Sequence, residues 1–182
     1  MRLHQIGLKH GTDKATFHNY CHFYEQNLPQ ANSILEIGVL DGASLRMWGE
    51  FFKTSEVFGF DINPIKMEYP VIRVDAHDRE DIEKHADWFD LIVDDGPHTM
   101  RSQHLLFGIL FPYCKTYIIE DLHTCERAEY QDGTPSTIEM LRTLDSPLWT
   151  AEERDYIKAN VGEIKLYKDK PNDSWTAIIT KQ

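Results

Sequence analysis

Cysteine is scarce in this chain, with three in 182 residues: Cys21, Cys114 and Cys125. An odd number without metal-ligand spacing supports neither a disulfide framework nor a cysteine metal site. Reduced thiols and a cytoplasmic location are therefore expected. No apolar run approaches the roughly 18 residues that a membrane span requires. The opening residues, Met1-Arg2-Leu3-His4-Gln5, lack the apolar block of a signal peptide. Positive charge is also short: 19 Lys and Arg stand against 30 Asp and Glu, for a net charge of −11. Binding to a phosphate backbone needs a basic surface, so nucleic acid is not expected as the main partner. A small or neutral substrate suits the charge better. No repeat, low-complexity segment or linker marks a second domain. The length suffices to bury a core, and one domain over 1–182 is expected, with 1–30 as an N-terminal helical cap.

What is present is an alternation of short apolar strands and amphipathic segments. Strands are expected at 33–37, 57–60, 71–74, 91–93, 117–119, 163–167 and 175–180. Helices are expected at 20–28, from Ala43 to about Lys53, near Arg79, and at 102–111, 137–144 and 151–160. Gly11-Thr12-Asp13-Lys14 reads as a turn with a helix cap and a solvated charge pair, or as part of a lid over a ligand. Only a short turn, 170–173, separates the last two strands, so they must pair antiparallel. The fold class is therefore α/β. It is a mostly parallel, seven-stranded, Rossmann-like sheet with a C-terminal antiparallel hairpin and helices on both faces.

The stretch Ser33-Ile34-Leu35-Glu36-Ile37-Gly38-Val39-Leu40-Asp41-Gly42-Ala43-Ser44 runs from strand through a glycine turn into a helix. Open α/β sheets bind adenosine-containing ligands at such turns. The dinucleotide fingerprint G-x-G-x-x-G is missing, because Leu40 stands two residues after Gly38. A bulky Leu opposes the approach of a pyrophosphate. S-adenosylmethionine has no phosphate and tolerates it, and Glu36 before the turn suits its cationic amino-acid end. Asp61, closing the second strand, can accept the ribose hydroxyls. Asp75 at the third strand end can bond an adenine amino group or cap a helix. The candidate cofactor-binding set is Glu36, Gly38, Gly42, Ser44, Asp61, Asp75 and Asp94.

Four acids end the fourth and fifth strands: Asp94 and Asp95, then Glu120 and Asp121. Neighbouring strands bring them together, and carboxylates that converge repel unless a cation or proton sits between them. Oxygen donors favour a hard divalent ion, Mg²⁺ first. His98, three residues past Asp95, can take a proton at neutral pH. His77, His104 and His123 are less well placed. Histidines 4, 10, 18 and 22 share no face that would make a metal site.

Glu36-Ile37-Gly38 with Gly42-Ala43-Ser44, Asp61, Asp94-Asp95-Gly96-Pro97-His98 and Glu120-Asp121 together resemble the class I S-adenosylmethionine-dependent methyltransferases. More narrowly, the chain from Gly11-Thr12-Asp13-Lys14 to the helix at Thr137–Met140 is similar to the Mg²⁺-dependent macrolide sugar O-methyltransferases of the mycinamicin type and to the cephalosporin-hydroxylase-like group. The resemblance implies Mg²⁺ on Asp95, Glu120 and Asp121, His98 as general base, and S-adenosylmethionine on the glycine turn and Asp61. Asp95 and His98 are then the catalytic candidates. The chain departs from the sugar enzymes in having Pro97 where they carry Ser. It also contains no counterpart of their large additional N-terminal domain, which leaves acceptor identity and oligomer contacts open. The expected activity is O-methylation of a hydroxyl on a sugar or glycan-type small molecule, with no nucleic-acid or membrane partner. A catechol or other natural-product hydroxyl is an alternative acceptor. A non-catalytic S-adenosylmethionine-binding protein is a second alternative, and a dehydrogenase is disfavoured by Leu40.

Overall fold

The computed structural model describes residues 2–169 and 171–182. Three short helices come first: α1 (Leu3–His10), α2 (Asp13–Thr16) and α3 (Tyr20–Asn27). Gly11, at φ 77°, closes α1 by turning its N–H back to the Gly7 and Leu8 carbonyls. There follow β1 (Ser33–Ile37), α4 (Ala43–Phe52), β2 (Glu56–Asp61), β3 (Val71–Arg73), α5 (Arg79–Lys84), β4 (Phe89–Asp94), α6 (Met100–Leu110) and β5 (Cys114–Ile119). Two 3₁₀ turns, Leu122–Glu126 and Ala128–Tyr130, lead into α7 (Thr137–Thr143) and α8 (Ala151–Asn160). The chain closes with β6 (Val161–Asp169) and β7 (Ser174–Lys181).

The helix starts are written in the sequence. The Asp78 side chain accepts from the Glu80 and Asp81 amides at α5, Thr99 from Ser102 at α6, and Ser136 from Glu139 at α7. Thr150 and Glu153 form a reciprocal capping box at α8.

The strands form one sheet in the order β3-β2-β1-β4-β5-β7-β6. The first five run parallel, and β7 pairs antiparallel with both β5 and β6. Side chains alternate along each strand, so two cores form. Leu35, Ile37, Ile92, Tyr117 and Ile179 join the helices of the chain's second half on one face. Ile34, Val57, Leu91, Val93 and Ile118 join α1, α3 and α4 on the other.

The expected seven-stranded, mostly parallel sheet with its reversed hairpin is what the structure has. The hairpin strands are longer than the pattern implies, and Lys170 of the expected turn lies outside the described residues, as does Met1. Helix α1 falls within the expected helical cap over 1–30, although the sequence pattern sets no bounds for it. In the structure Gly7 leaves room for Ala15, whose Cβ would stand 2.6 Å from an added methyl. No helix among the described residues is long and apolar enough to cross a membrane.

Candidate active site

The chain lays β2 and β3 on one side of β1 and β4 and β5 on the other, which opens a crevice at the strands' carboxyl ends. Strand register then sets the level of each site residue. Ile37 pairs with Asp94, and Asp94 with Ile119. The next residue on each strand is therefore Gly38, Asp95 and Glu120, side by side. The ladder continues one step further: Asp95 N–H donates to Ile37 O, and Glu120 N–H to Asp94 O, both at 2.9 Å. A Cβ on Gly38 would stand 1.9 Å from Asp95 O, and φ is +87°, so this position requires glycine.

A cavity of about 760 Å³ lies over this edge, a size that suits a nucleoside-bearing ligand. One end is lined by Gly38, Leu40, Phe60, Asp61, Val74 and Asp75, the other by Asp13, Asp95, His98 and Asp121. Asp61 ties the glycine turn to β2. Its Oδ2 accepts from Val39 N–H at 2.8 Å and its Oδ1 from Asn63 N–H at 2.8 Å. Strain gathers here. Leu40, His98 and Asp121 all adopt left-handed backbone, at φ 51°, 58° and 54°, a conformation that costs a non-glycine residue about 1–3 kcal/mol.

Asp95, His98 and Asp121 each offer one ligand atom, and these lie within 4.8 Å of one another. His98 Nε2 stands 3.6 Å from Asp121 Oδ2 and 3.8 Å from Asp95 Oδ1. The two carboxylate oxygens at this spacing fit a divalent ion, with the imidazole standing beside it. Burial would raise Asp121, but His98, His18 and the Tyr20 hydroxyl outweigh it and hold the carboxyl below its ordinary value. Tyr20 donates to Asp121 Oδ1 at 2.7 Å.

Glu120 faces elsewhere. Its Oε1 accepts from the Tyr24 hydroxyl at 2.8 Å and its Oε2 from Lys14 Nζ at 3.0 Å. Glu36 is also buried; its Oε1 forms an ion pair with Lys14 Nζ at 3.0 Å, and neither of its oxygens has a hydrogen-bond partner among the described residues. A buried carboxylate oxygen left open beside the turn suits a donor bearing an ammonium group. Burial pushes both glutamates above their ordinary values, against the pull of Lys14.

Of the expected cofactor set, Gly38, Asp61 and Asp75 line the cavity. Gly42 starts α4 at φ 78°, and Ser44 is buried in the first turn of that helix. Asp94 lies on the other face of the sheet, its Oδ2 3.5 Å from the Tyr117 hydroxyl. Of the acids expected to bind metal, the structure brings Asp95 and Asp121 together with His98 and sets Glu120 apart.

The residue that sequence reasoning missed is Lys14. It is fully buried, not a solvated partner of Asp13. Burial alone would push its ammonium down, but Asp95, Glu120 and Glu36 together raise it well above its ordinary value. Its partners lie up to 106 residues away, and no local pattern discloses them.

No family model matches the chain. Among curated proteins, an 8-demethyl-8-alpha-L-rhamnosyl tetracenomycin-C 2'-O-methyltransferase of Streptomyces olivaceus is 30% identical, over 81% of this chain and 46% of the relative. An L-olivosyl-oleandolide 3-O-methyltransferase of Streptomyces antibioticus is 31% identical, over 97% of this chain and 55% of the relative. The chain thus spans about half the length of the curated relatives it matches. Among solved structures, the methyltransferase MycE of the mycinamycin biosynthetic pathway, in complex with Mg and SAH, superposes over 100% of this chain and 54% of its own length. The TM-score is 0.82 at 24% identity. The chain has the class I methyltransferase fold and is similar, over most of its own length, to O-methyltransferases of glycosylated natural products.

Proposed function

We propose that the chain binds S-adenosylmethionine in the 760 Å³ cavity and methylates a hydroxyl of a sugar-bearing small molecule, assisted by a divalent cation. The observation that carries this reading is the meeting of Asp95, His98 and Asp121 at one end of the cavity that the glycine turn and Asp61 close at the other. The relatives, named as 2'-O- and 3-O-methyltransferases of glycosylated compounds, support the acceptor class.

Asp95 and Asp121 would hold the cation, Mg²⁺ first, with Glu120 behind them. When bound, it would supply a Lewis acid that lowers the pKa of the acceptor hydroxyl. His98 Nε2 faces the two carboxylates and would take the hydroxyl proton. Glu36 and the turn at Gly38 would orient the donor's amino-acid end, and Asp61 and Asp75 its nucleoside end. Fixed placement of donor and acceptor carries much of the rate in a direct transfer between them. Asp13 and the 122–136 segment would border the acceptor and keep water out.

The test is calorimetric titration of S-adenosylmethionine and S-adenosylhomocysteine with Mg²⁺ and with EDTA, followed by product analysis on a panel of glycosides and catechols. Micromolar donor binding with Mg²⁺-dependent methylation of glycosides is expected. Absence of donor binding overturns the reading, and methylation confined to catechols overturns the acceptor class. His98→Ala should lower kcat by roughly 10²–10⁴-fold and leave donor affinity unchanged. An unchanged kcat removes His98 as the base.

A further inference from the structure

An ammonium group has three N–H donors, and the buried Lys14 has three carboxylates around it. Glu36 Oε1 and Glu120 Oε2 each lie 3.0 Å from Nζ, and Asp95 Oδ2 is the third partner. The three acids stand at the ends of β1, β4 and β5, which are adjacent in the sheet. Lys14 itself comes from α2, so one side chain joins the N-terminal helices to three strand ends.

The two oxygens of Asp95 are used differently. Oδ2 is held by Lys14, and Oδ1 points toward His98 Nε2 at 3.8 Å. Pinning one oxygen of a planar carboxylate fixes the direction of the other. Glu120 is held at both oxygens, by Lys14 and by Tyr24. The outer cluster of Asp95, His98 and Asp121 therefore has an inner frame.

We propose that Lys14 is a positioning residue for the divalent-cation site: it holds Asp95 through Oδ2, so that Oδ1 faces His98 and Asp121. This rests on the metal reading given above. A mere charge effect has the opposite sign. A nearby ammonium repels a divalent cation, so its removal would tighten metal binding. Loss of a residue that orients a ligand weakens binding, by roughly 10–100-fold.

The two effects separate in the double variant Lys14→Met/Glu36→Gln, which removes one positive and one negative charge and leaves the net charge of the cluster unchanged. Mn²⁺ alone serves as the probe, read by electron paramagnetic resonance and calorimetry on the full chain without donor or acceptor. Circular dichroism and a thermal melt establish that the variant is folded. The expected result is Mn²⁺ binding weakened by roughly 10–100-fold in the double variant, and weakened less in Glu36→Gln alone, which removes one negative charge but leaves Lys14 holding Asp95. If the Met pair does not fold, Lys14→Gln/Glu36→Gln is read in the same way and shows a smaller loss, because the amide still offers Asp95 a donor. A folded pair that binds Mn²⁺ as tightly as the unaltered chain overturns the positioning role and leaves the metal reading standing. No Mn²⁺ binding by the unaltered chain overturns both.

Discussion

Asp94 and Asp95 are consecutive residues on opposite faces of the sheet. Along β4, Leu91 and Val93 point toward α1, α3 and α4, and Asp95 continues their series. Ile92 points the other way, and Asp94 continues that series. Both acids end the strand, and sequence reasoning placed Asp94 at the cofactor and Asp95 at the metal, in one crevice. The alternation of Leu91-Ile92-Val93 already held the information that parts them. The same rule places Glu36 and Glu120 on the face that Lys14 reaches, in line with Ile34 and Ile118. Lys14 was not legible in this way, since its burial depends on strands that follow it by tens of residues. The buried site of Asp94 has a measurable result. Burial raises its pKa from 3.8 to about 7, so the folded state favours the protonated acid. Its contribution to stability is complete below the unfolded value and is lost as the pH rises through about 7. Asp94→Asn should remove that loss. Thermal melts from pH 4 to pH 8 should show the variant gaining on the unaltered chain as the pH rises, and parallel curves would contradict the protonated state.

At the level of elements, the strand–turn–helix of β1 and α4 and the capped starts of α5 to α8 were readable from local composition. The packing of α6 was not. Gly108 sits inside that helix, where glycine costs about 1 kcal/mol relative to alanine. The reason lies outside the helix: an added Cβ would stand 2.4 Å from the Trp149 ring. Trp149 comes from the connection between α7 and α8 and donates its Nε1–H to His104 O at 2.7 Å. The ring fills the groove that Gly108 leaves and pins that connection to α6. Trp149→Ala should cost about 3–5 kcal/mol in urea unfolding. Trp149 does not line the cavity, so donor affinity measured on the folded variant should stay unchanged. A loss below about 1 kcal/mol would mean that the groove collapses around the gap.

For the whole molecule, the net charge of −11 is unevenly met. Glu36, Asp95, Glu120 and Asp121 crowd one edge, and Lys14 answers only part of their charge. A divalent cation bound by the folded chain alone raises stability by mass action, about 2.7 kcal/mol when free metal is one hundred times its dissociation constant. Millimolar Mg²⁺ should therefore raise Tm and EDTA should reverse the gain, while NaCl at equal ionic strength should not reproduce it. Equal shifts with both salts would indicate general screening only.

The bonds of the N-terminal helices bear on how the molecule is built in time. Lys14 and Tyr24 bond to Glu120, Tyr20 to Asp121 and to Trp175 O, and His18 to Ser174. These helices thus find their places only after the strand ends at Glu120 and Asp121 and the hairpin at Ser174 and Trp175 have formed. Closing such long loops is slow relative to local pairing, so docking of these helices belongs late in folding. The carboxylate edge is complete only when they dock. A refolding chain is then expected to form its parallel sheet before it can bind metal, and stopped-flow far-UV circular dichroism run beside Mn²⁺ binding would show the two signals arriving together if it does not.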